Sequence, residues 1–256
     1  MSRFGAQARV CLSVIAGCAV LGAASVASAQ ESYGERPRPT PERYAAEPGL
    51  QLGARVGFTA GAGSVISGIP VTEASSGAVP VIIDAGWRIR PEIYVGAYGQ
   101  IAPVLLRENP ETCPQGFNCS ARNWRVGIQA DLHFLPRSRL DPYAGVGVGY
   151  EILHTTVNGT APIPLPTGAT VPGQVESSVV DRGWEYGNVS VGFDYRISNV
   201  VGLGPFATAT LAQYNVRESS RTVTVAGNEV SAGTQGPIDH TLHAQFIVGL
   251  RGTFNP

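Results

Sequence analysis

Trp124-Arg125-Val126-Gly127-Ile128-Gln129-Ala130-Asp131-Leu132-His133-Phe134 is the stretch that decides the fold of this chain. Apolar and polar residues alternate along it, and Leu52-Gly53-Ala54-Arg55-Val56-Gly57-Phe58 has the same pattern. Successive side chains of a β-strand point to opposite faces, so this alternation places the apolar residues on one face and the polar residues on the other. Both stretches therefore predict strands of a sheet whose two faces meet different surroundings.

Stretches of this kind recur along the chain, and each is long enough to cross a bilayer as a tilted strand, which takes about 9 to 11 residues. The connections alternate between long and short, as in an up-and-down barrel with long loops at one rim and tight turns at the other. The long connections are 61–78, 104–121, 155–183 and 217–240, and the short ones are 90–91, 136–141 and 198–200. We predict an all-β fold, an eight-stranded antiparallel up-and-down transmembrane β-barrel, with strands near 50–60, 79–90, 92–103, 122–135, 142–154, 184–197, 201–216 and 241–254.

Two of these strands have a register that the pattern leaves open. In the third, Ile93 and Val95 compete with Tyr94 and Tyr98 for the lipid face, and in the seventh Pro205 interrupts the alternation. Because a shift of one residue moves every side chain to the opposite face, the lumen residues of these strands are not assigned.

The polar face distinguishes a membrane barrel from a soluble barrel that turns its apolar face inward. It is rich in glycine, which weakens a strand without adding solubility but suits a narrow lumen. It also carries charges of both signs, which can pair inside a barrel, whereas the opposite face is almost free of charge and fits lipid. We predict a polar network in the lumen formed by Arg55, Asp84, Arg88, Arg125, Asp131, Glu151, Asp194, Arg196 and Arg251.

The N-terminus predicts export. Arg3 and Arg9 precede an apolar segment without acidic residues, which closes with Ala27-Ser28-Ala29. We interpret residues 1–29 as a signal peptide, 30–49 as a Pro-rich periplasmic lead-in and 50–256 as the barrel domain. A retained membrane anchor and a lipidated Cys18 are the alternatives.

Cysteine placement is compatible with an oxidising compartment. Cys113 and Cys119 bracket a short polar segment, and their spacing suggests a disulfide that closes a local loop. A pair of free thiols is the alternative. No nearby His or acidic cluster completes a zinc site, so we expect no metal site.

Composition excludes one class of partner. The formal net charge is -1, and loss of Arg3 and Arg9 with the signal would make it -3. All 18 basic residues are arginine, and they are not gathered in a basic stretch, so we expect no binding of nucleic acid.

A family resemblance rests on Asp141-Pro142-Tyr143-Ala144-Gly145-Val146-Gly147-Val148-Gly149-Tyr150 and on the last strand, which ends in Phe254. Both resemble strands of small outer-membrane β-barrels of the OmpA/OmpX type. The resemblance implies a multi-pass protein of the outer membrane of a Gram-negative bacterium, with long loops outside and short turns in the periplasm. It further implies contact with outer-membrane lipid and lipopolysaccharide, recognition of the terminal aromatic by the barrel-assembly machinery, and a monomer.

The sequence does not indicate an enzyme. A lipid-modifying barrel needs a nucleophile, a base and an orienting acid close together, but His154 is followed by Thr155 and Thr156. We therefore expect no catalytic residues and no cofactor. The predicted function is a non-enzymatic scaffold whose long extracellular loops serve adhesion, partner binding or envelope integrity. The alternatives are a narrow channel for small or apolar solutes and, less favoured, a lipid-modifying barrel enzyme.

Overall fold

The computed structural model describes residues 46–66, 69–108, 113–164, 168–238 and 242–256, all of which belong to the compact unit Pro41–Pro256. The predicted signal peptide, Cys18 and most of the predicted lead-in lie outside the described residues. None of the helices in the described ranges is long and apolar enough to cross a membrane.

The described chain is almost entirely strand, with one short helix. The elements are β1 Gly49–Ile66, β2 Ile69–Pro70, α1 Val71–Ala74, β3 Ser75–Ala78, β4 Val81–Arg90, β5 Ile93–Leu106, β6 Asn118–His133, β7 Leu140–Pro164, β8 Thr170–Arg196, β9 Val201–Val225, β10 Asn228–Pro237 and β11 Leu242–Phe254.

Eight of these strands close into an antiparallel ring. Its order is β1, β4, β5, β6, β7, β8, β9, β11 and back to β1. Arg55 of β1, for example, lies opposite Ile82 of β4 on one side and Arg251 of β11 on the other. Closure pairs the backbone groups of the first and last strands, which a sheet in hydrocarbon requires. The predicted eight-stranded barrel is confirmed.

The two ends of the barrel differ. At the turn rim, the strands are joined by residues 91–92, 134–139 and 197–200. Both ends of the barrel sequence are also held there, because the Ala46 N–H donates to the Pro136 carbonyl at 3.2 Å and the Asn255 N–H donates to the Val200 carbonyl at 2.8 Å. The opposite end, which we term the hairpin rim, carries the connections from β1 to β4, β5 to β6, β7 to β8 and β9 to β11.

The expectation of long loops at the hairpin rim is wrong for most of its length. β7, β8 and β9 contain 25, 27 and 25 residues, and the β7–β8 ladder continues from Thr155 opposite Val179 to Pro164 opposite Thr170. β9 and β10 form a hairpin whose two-residue turn, Ala226-Gly227, has φ values of 48° and 83°, as a tight hairpin turn requires. β2, α1 and β3 occupy much of the first long connection. Backbone pairing outside the barrel therefore replaces irregular loops.

The apolar parity of the strands faces outward. Ile83, Val126, Ile128 and Val146 are each 60% or more exposed on the protein surface, and their neighbours in sequence are turned inward. A continuous apolar band of this kind is far larger than soluble monomers expose. The band, the closed ring and the polar interior together define a barrel that spans a bilayer.

The structure resolves both open registers. In β5, Tyr94 and Tyr98 are buried in the lumen and Val95 faces outward. In β9, Phe206 is inside and Leu203 is outside. The β8–β9 ladder passes Pro205 without a change of register, from Gly192 opposite Phe206 to Tyr195 opposite Leu203. The outward side chain of Pro205 thus interrupts hydrogen bonding but not alternation.

Exposed aromatic side chains lie at both ends of the apolar band. Trp124 and Trp184 are exposed toward the hairpin rim, and Trp87 and Phe254 are exposed toward the turn rim. Tyr143, near the start of β7, does not belong to this girdle. Tyr143 is 2% exposed, because it shares the inward parity of Gly145 and Glu151.

Candidate functional site

The lumen of the barrel is filled with charged and aromatic side chains. All nine residues of the predicted polar network are buried, with Arg55 the most exposed at 6%. They fall into three groups stacked between the rims, each with its own hydrogen bonds. Because a buried charge is tolerated only when it is paired, the contacts in each group determine what the lumen can do.

The group nearest the hairpin rim converges on the carboxylate of Glu151 in β7. Arg125 of β6 donates from Nη2 to Oε2 at 3.2 Å, and Tyr214 of β9 donates to Oε1 at 2.6 Å. His243 Nε2 lies 3.3 Å from Oε2 and stacks on Tyr214 with ring centroids 4.6 Å apart. Asn123 and Gln245 donate to Oε1 as well. We term these six residues, Asn123, Arg125, Glu151, Tyr214, His243 and Gln245, the Glu151 cluster.

A second carboxylate lies beside this cluster and was missed in the sequence. Glu185 of β8 is 2% exposed, accepts a hydrogen bond from the Tyr98 hydroxyl at 2.8 Å and accepts another from Asn188. With Asp194 and Arg196 in the lumen, strict alternation assigns the even-numbered residues of this strand to the lumen and places Glu185 on the outer face. A β-bulge between Glu185 and Gly187 shifts the register and turns both Glu185 and Asn188 inward.

The middle group links three strands through one guanidinium. Arg55 Nη2 lies 2.6 Å from Asp84 Oδ1 and 2.5 Å from Gln129 Oε1, and the Gln129 amide donates to the same Asp84 oxygen at 2.9 Å. Arg251 Nη2 is 3.0 Å from Asp131 Oδ2. The Arg251 guanidinium carbon lies 4.3 Å from the centroid of the Tyr143 ring. Both arginines are therefore held by a carboxylate and packed within the lumen.

The group at the turn rim is organised by Asp141. His133 Nδ1 and Arg196 Nη2 both lie 2.9 Å from Asp141 Oδ2. Arg88 donates to His133 Nε2 at 3.1 Å, so the His133 proton is on Nδ1 and is donated to Asp141. Arg88 also donates to Gln51 Oε1 at 3.0 and 2.8 Å. We term Gln51, Arg88, His133, Asp141 and Arg196 the Asp141 cluster.

Asp194 could be predicted as a lumen residue from the sequence, whereas Asp141 was not. We predicted Asp194 as a lumen residue, and it is fully buried within electrostatic range of Arg88 and Arg251. Asp141 was assigned to the turn before Pro142, yet it lies in β7, which begins one residue earlier at Leu140. Asp141 could have been assigned to the lumen because it lies two residues before Tyr143 and therefore shares its face of the strand.

These groups occlude the lumen. Eight strands enclose a space that side chains can fill, and the Glu151 cluster spans it with residues from β6, β7, β9 and β11. Within the described residues, no group of three or more His, Cys, Asp or Glu side chains is arranged to hold a metal ion. The contacts between the lumen side chains described above are ion pairs and hydrogen bonds.

A cavity of about 500 Å³ lies on the hairpin side of the Glu151 cluster. Its floor includes Asn123, Tyr214 and His243 of that cluster. Its walls are mainly apolar. They are formed by β1, β3, β5, β6, β7, β8 and β9 and by α1. The apolar wall residues include Val71, Val104, Leu106, Leu153, Val157, Val175 and Val179.

Two further contacts lie at the hairpin rim. Cys113 and Cys119 form a disulfide with an S–S distance of 2.09 Å, which confirms the predicted pairing. His154 Nε2 lies 2.9 Å from Ser178 Oγ on the exposed outer face, a pair that the sequence did not reveal because 24 positions separate the two residues. Among the described residues, no carboxylate is hydrogen-bonded to His154.

The closed ring, its apolar band and its occluded polar lumen define the class of this protein, a small integral membrane β-barrel of the outer-membrane type. No protein-family model and no curated protein matches the chain.

Solved structures with a similar fold include three outer-membrane or surface proteins. A major outer membrane protein from Thermus thermophilus has a TM-score of 0.45 at 12% identity, and the match covers 81% of this chain and 99% of that one. OprG from Pseudomonas aeruginosa has a TM-score of 0.42 at 10% identity, covering 84% and 100%. Neisserial surface protein A has a TM-score of 0.37 at 14% identity, covering 81% and 96%.

Proposed function

We propose that this chain is a non-enzymatic scaffold of the bacterial outer membrane, which holds an extended β-sheet outside the cell for adhesion, partner binding or envelope integrity. The observation that supports this function is the combination of an occluded lumen with strands that continue far beyond the apolar band. A pore would need an open interior, and a barrel that served only as an anchor would not need the long extensions of β7, β8 and β9.

The extended sheet has the surface of a recognition element. β10 is exposed over nearly its whole length. The β9–β10 hairpin carries pairs of hydroxyl groups, with Ser219 and Thr234 oxygens 2.8 Å apart and Thr222 and Ser231 oxygens 2.9 Å apart. Such a surface offers hydrogen-bond donors and acceptors on a rigid backbone, which suits binding to a polar partner.

Lipid contact at the outer boundary of the apolar band is part of this proposal. One step beyond the exposed Trp124, β6 carries Arg122, which lies opposite His154 of β7. Arg182 of β8 is also on this outer surface, 3.1 Å from Glu218. A basic row directly above an aromatic girdle suits the phosphate groups of lipopolysaccharide. At the other rim, the exposed Phe254 suits the terminal aromatic that the barrel-assembly machinery would recognise in a monomeric barrel.

A narrow channel for small or apolar solutes is the second candidate. The apolar cavity favours it, because such a solute could enter from the hairpin rim. The Glu151 cluster opposes it, because passage would require several buried hydrogen bonds to break together. We therefore rank conduction below display.

Three experiments test the proposed function. The first inserts a short epitope at the Ala226-Gly227 turn, with an insertion at residues 197–200 as the matched control. Antibody should stain intact cells for the first insertion only, and the reverse pattern would contradict external display.

The second measures conductance in a planar bilayer, with a general porin as the positive control. We expect an electrically silent barrel that sediments with the outer membrane and migrates differently on a gel before and after boiling. Steady wild-type channels would favour the conducting alternative instead.

The third experiment tests the enzyme alternative. Lipid A extracted from cells with Ser178→Ala should have the wild-type mass, because the His154–Ser178 pair is not expected to catalyse acyl transfer.

A further inference from the structure

The interior of the barrel changes character on the hairpin side of the Glu151 cluster. At the level of the cluster, the inward-facing residues of β5, β6 and β7 include Gln100, Arg125 and Glu151, which are register neighbours. Beyond it, the inward positions carry Val104 and Leu106 in β5 and Leu153 and Val157 in β7. The alternation continues, but its inner face becomes apolar while the strands remain in the same ring.

This change is informative because those side chains are neither on the lipid-facing surface nor in a close-packed core. They line a cavity of about 500 Å³. Apolar side chains around a space filled by water are unfavourable, since apolar area removed from water is stabilising. Binding sites for small organic molecules are typically concave, mainly apolar and about 300 to 1,000 Å³ in volume. The size and lining of the cavity therefore suit an apolar ligand.

Charged residues are confined to one wall of the cavity. Arg217 of β9 donates from Nε to Asp181 Oδ1 at 2.6 Å and from Nη2 to Asp181 Oδ2 at 2.8 Å, so this charge is satisfied within the wall. Arg221 lies four residues further toward the mouth, and its cross-strand neighbours Ser177 and Ala232 are uncharged. The cavity thus combines apolar walls with a cation at its mouth.

We propose that this cavity binds a single-chain fatty acid, with the alkyl chain against Val104, Leu153 and Val157 and the carboxylate at Arg221. The Glu151 cluster closes the floor, so the ligand is retained rather than conducted. This site does not depend on what the external sheet of β7 to β10 recognises. A scaffold without surface partners could still bind the fatty acid, and a scaffold with an empty cavity could still bind a partner.

The test uses the full mature chain in phosphatidylcholine nanodiscs and spin-labelled stearate as the probe. Electron paramagnetic resonance separates immobilised probe from probe that is mobile in the bilayer, and empty nanodiscs give the contribution of the bilayer alone. We expect an immobilised component that saturates at one probe per barrel and is displaced by unlabelled stearate. Signal equal to that of empty nanodiscs, which means partition into lipid only, would overturn the proposal.

Matched variants locate the site. Ala121→Phe fills the cavity from β6, and Ser120→Phe adds the same ring to the outward face of the same strand. A second pair, Val157→Phe and Thr156→Phe, repeats the comparison in β7. The inward variants should weaken stearate binding by about tenfold or more, because overpacking displaces the ligand. The outward variants should bind as wild type does, and equal effects within both pairs would refute the location. Heat-modifiability on a gel verifies that each variant is folded.

The head group is tested separately with Arg221→Gln. Loss of an exposed ion pair should weaken binding of spin-labelled stearate by about two- to fivefold and leave binding of its methyl ester unchanged. If acid and ester bind equally to the wild-type barrel, the carboxylate part of the proposal is wrong.

Discussion

Tyr98 and Glu185 are hydrogen-bonded across the lumen, although two complete strands separate them in the ring. The hydroxyl of Tyr98 in β5 lies 2.8 Å from Glu185 Oε2 in β8, and the side chain crosses β6 and β7 to reach it. It does so over glycines. A Cβ at Gly127 would lie 2.6 Å from the Tyr98 hydroxyl, and a Cβ at Gly149 would lie 2.7 Å from it. The glycines of the polar face thus make room for tyrosines that span a narrow lumen.

Substitution of Gly149 tests this relationship. Gly149→Leu should displace Tyr98 and break its hydrogen bond to Glu185, because the lumen is already filled. Overpacking of this kind typically costs about 1 to 3 kcal/mol. The free energy of unfolding, measured by urea titration of the barrel in lipid vesicles, should fall by that amount. Val148→Leu, on the outward face of the same strand, is the control and should have little effect. Equal losses would show that crowding at Gly149 is not the cause.

The same region shows how far alternation predicts a barrel. The pattern identified the ring of eight strands and the burial of residues such as Arg125 and Asp194, because parity alone determines the face of a side chain in a regular strand. Alternation assigned Glu185 to the wrong face, because a β-bulge adds a residue to the strand and the sequence does not mark where the bulge occurs. Tyr98 was open for a related reason, since glycine and tyrosine are compatible with either face.

Arg125 and Glu151 provide a second test, on buried charge. Glu151→Gln keeps the shape of the side chain but removes the carboxylate that is hydrogen-bonded to the Arg125 guanidinium. Removal of one partner of a buried pair typically costs about 3 to 5 kcal/mol, and we expect a loss of that order in the free energy of unfolding. The double variant Arg125→Met with Glu151→Leu should recover part of the loss, because it removes both charges of the pair together. Failure of the double variant to recover would assign the stability to hydrogen bonds from Tyr214 and Gln245 instead.

The hairpin rim marks the other boundary of sequence prediction. The strands were expected to end near His154 and Val216, where the outward residues cease to be apolar. The structure continues them, because hydrogen bonding between β7, β8 and β9 does not require an apolar face once the strands leave the lipid. Polar residues such as Ser177 and Thr222 do not produce the alternation of apolar and polar residues from which the strands were predicted. The cavity was missed for the same reason, since it is formed by the inward faces of segments that resemble loops.

The disulfide should stabilise the hairpin rim rather than the barrel. Cys119 lies opposite Val157, one position after the β6–β7 ladder begins at Asn118, and Cys113 is six positions before Cys119. We expect the variant with Cys113→Ser and Cys119→Ser to keep the heat-modifiability and unfolding midpoint of the wild-type barrel. Its β5–β6 connection should be cleaved faster in limited proteolysis, because the loop loses its closure. Unchanged cleavage with a lowered midpoint would show that the disulfide supports the ring itself.

The apolar band on the outside of the barrel predicts that its side chains face lipid. Ile128 is 63% exposed near the middle of β6, and Val230 is 70% exposed in β10, beyond the ring. The two side chains have similar exposed fractions, but Ile128 faces lipid and Val230 faces water. Ile128→Arg places a charge near the bilayer midplane and should lower the free energy of unfolding in vesicles by about 2 to 4 kcal/mol. Val230→Arg should leave it unchanged, because water can solvate the new side chain. If both substitutions were tolerated equally, the band of Ile128 would not face lipid, and the membrane assignment of the fold would be wrong.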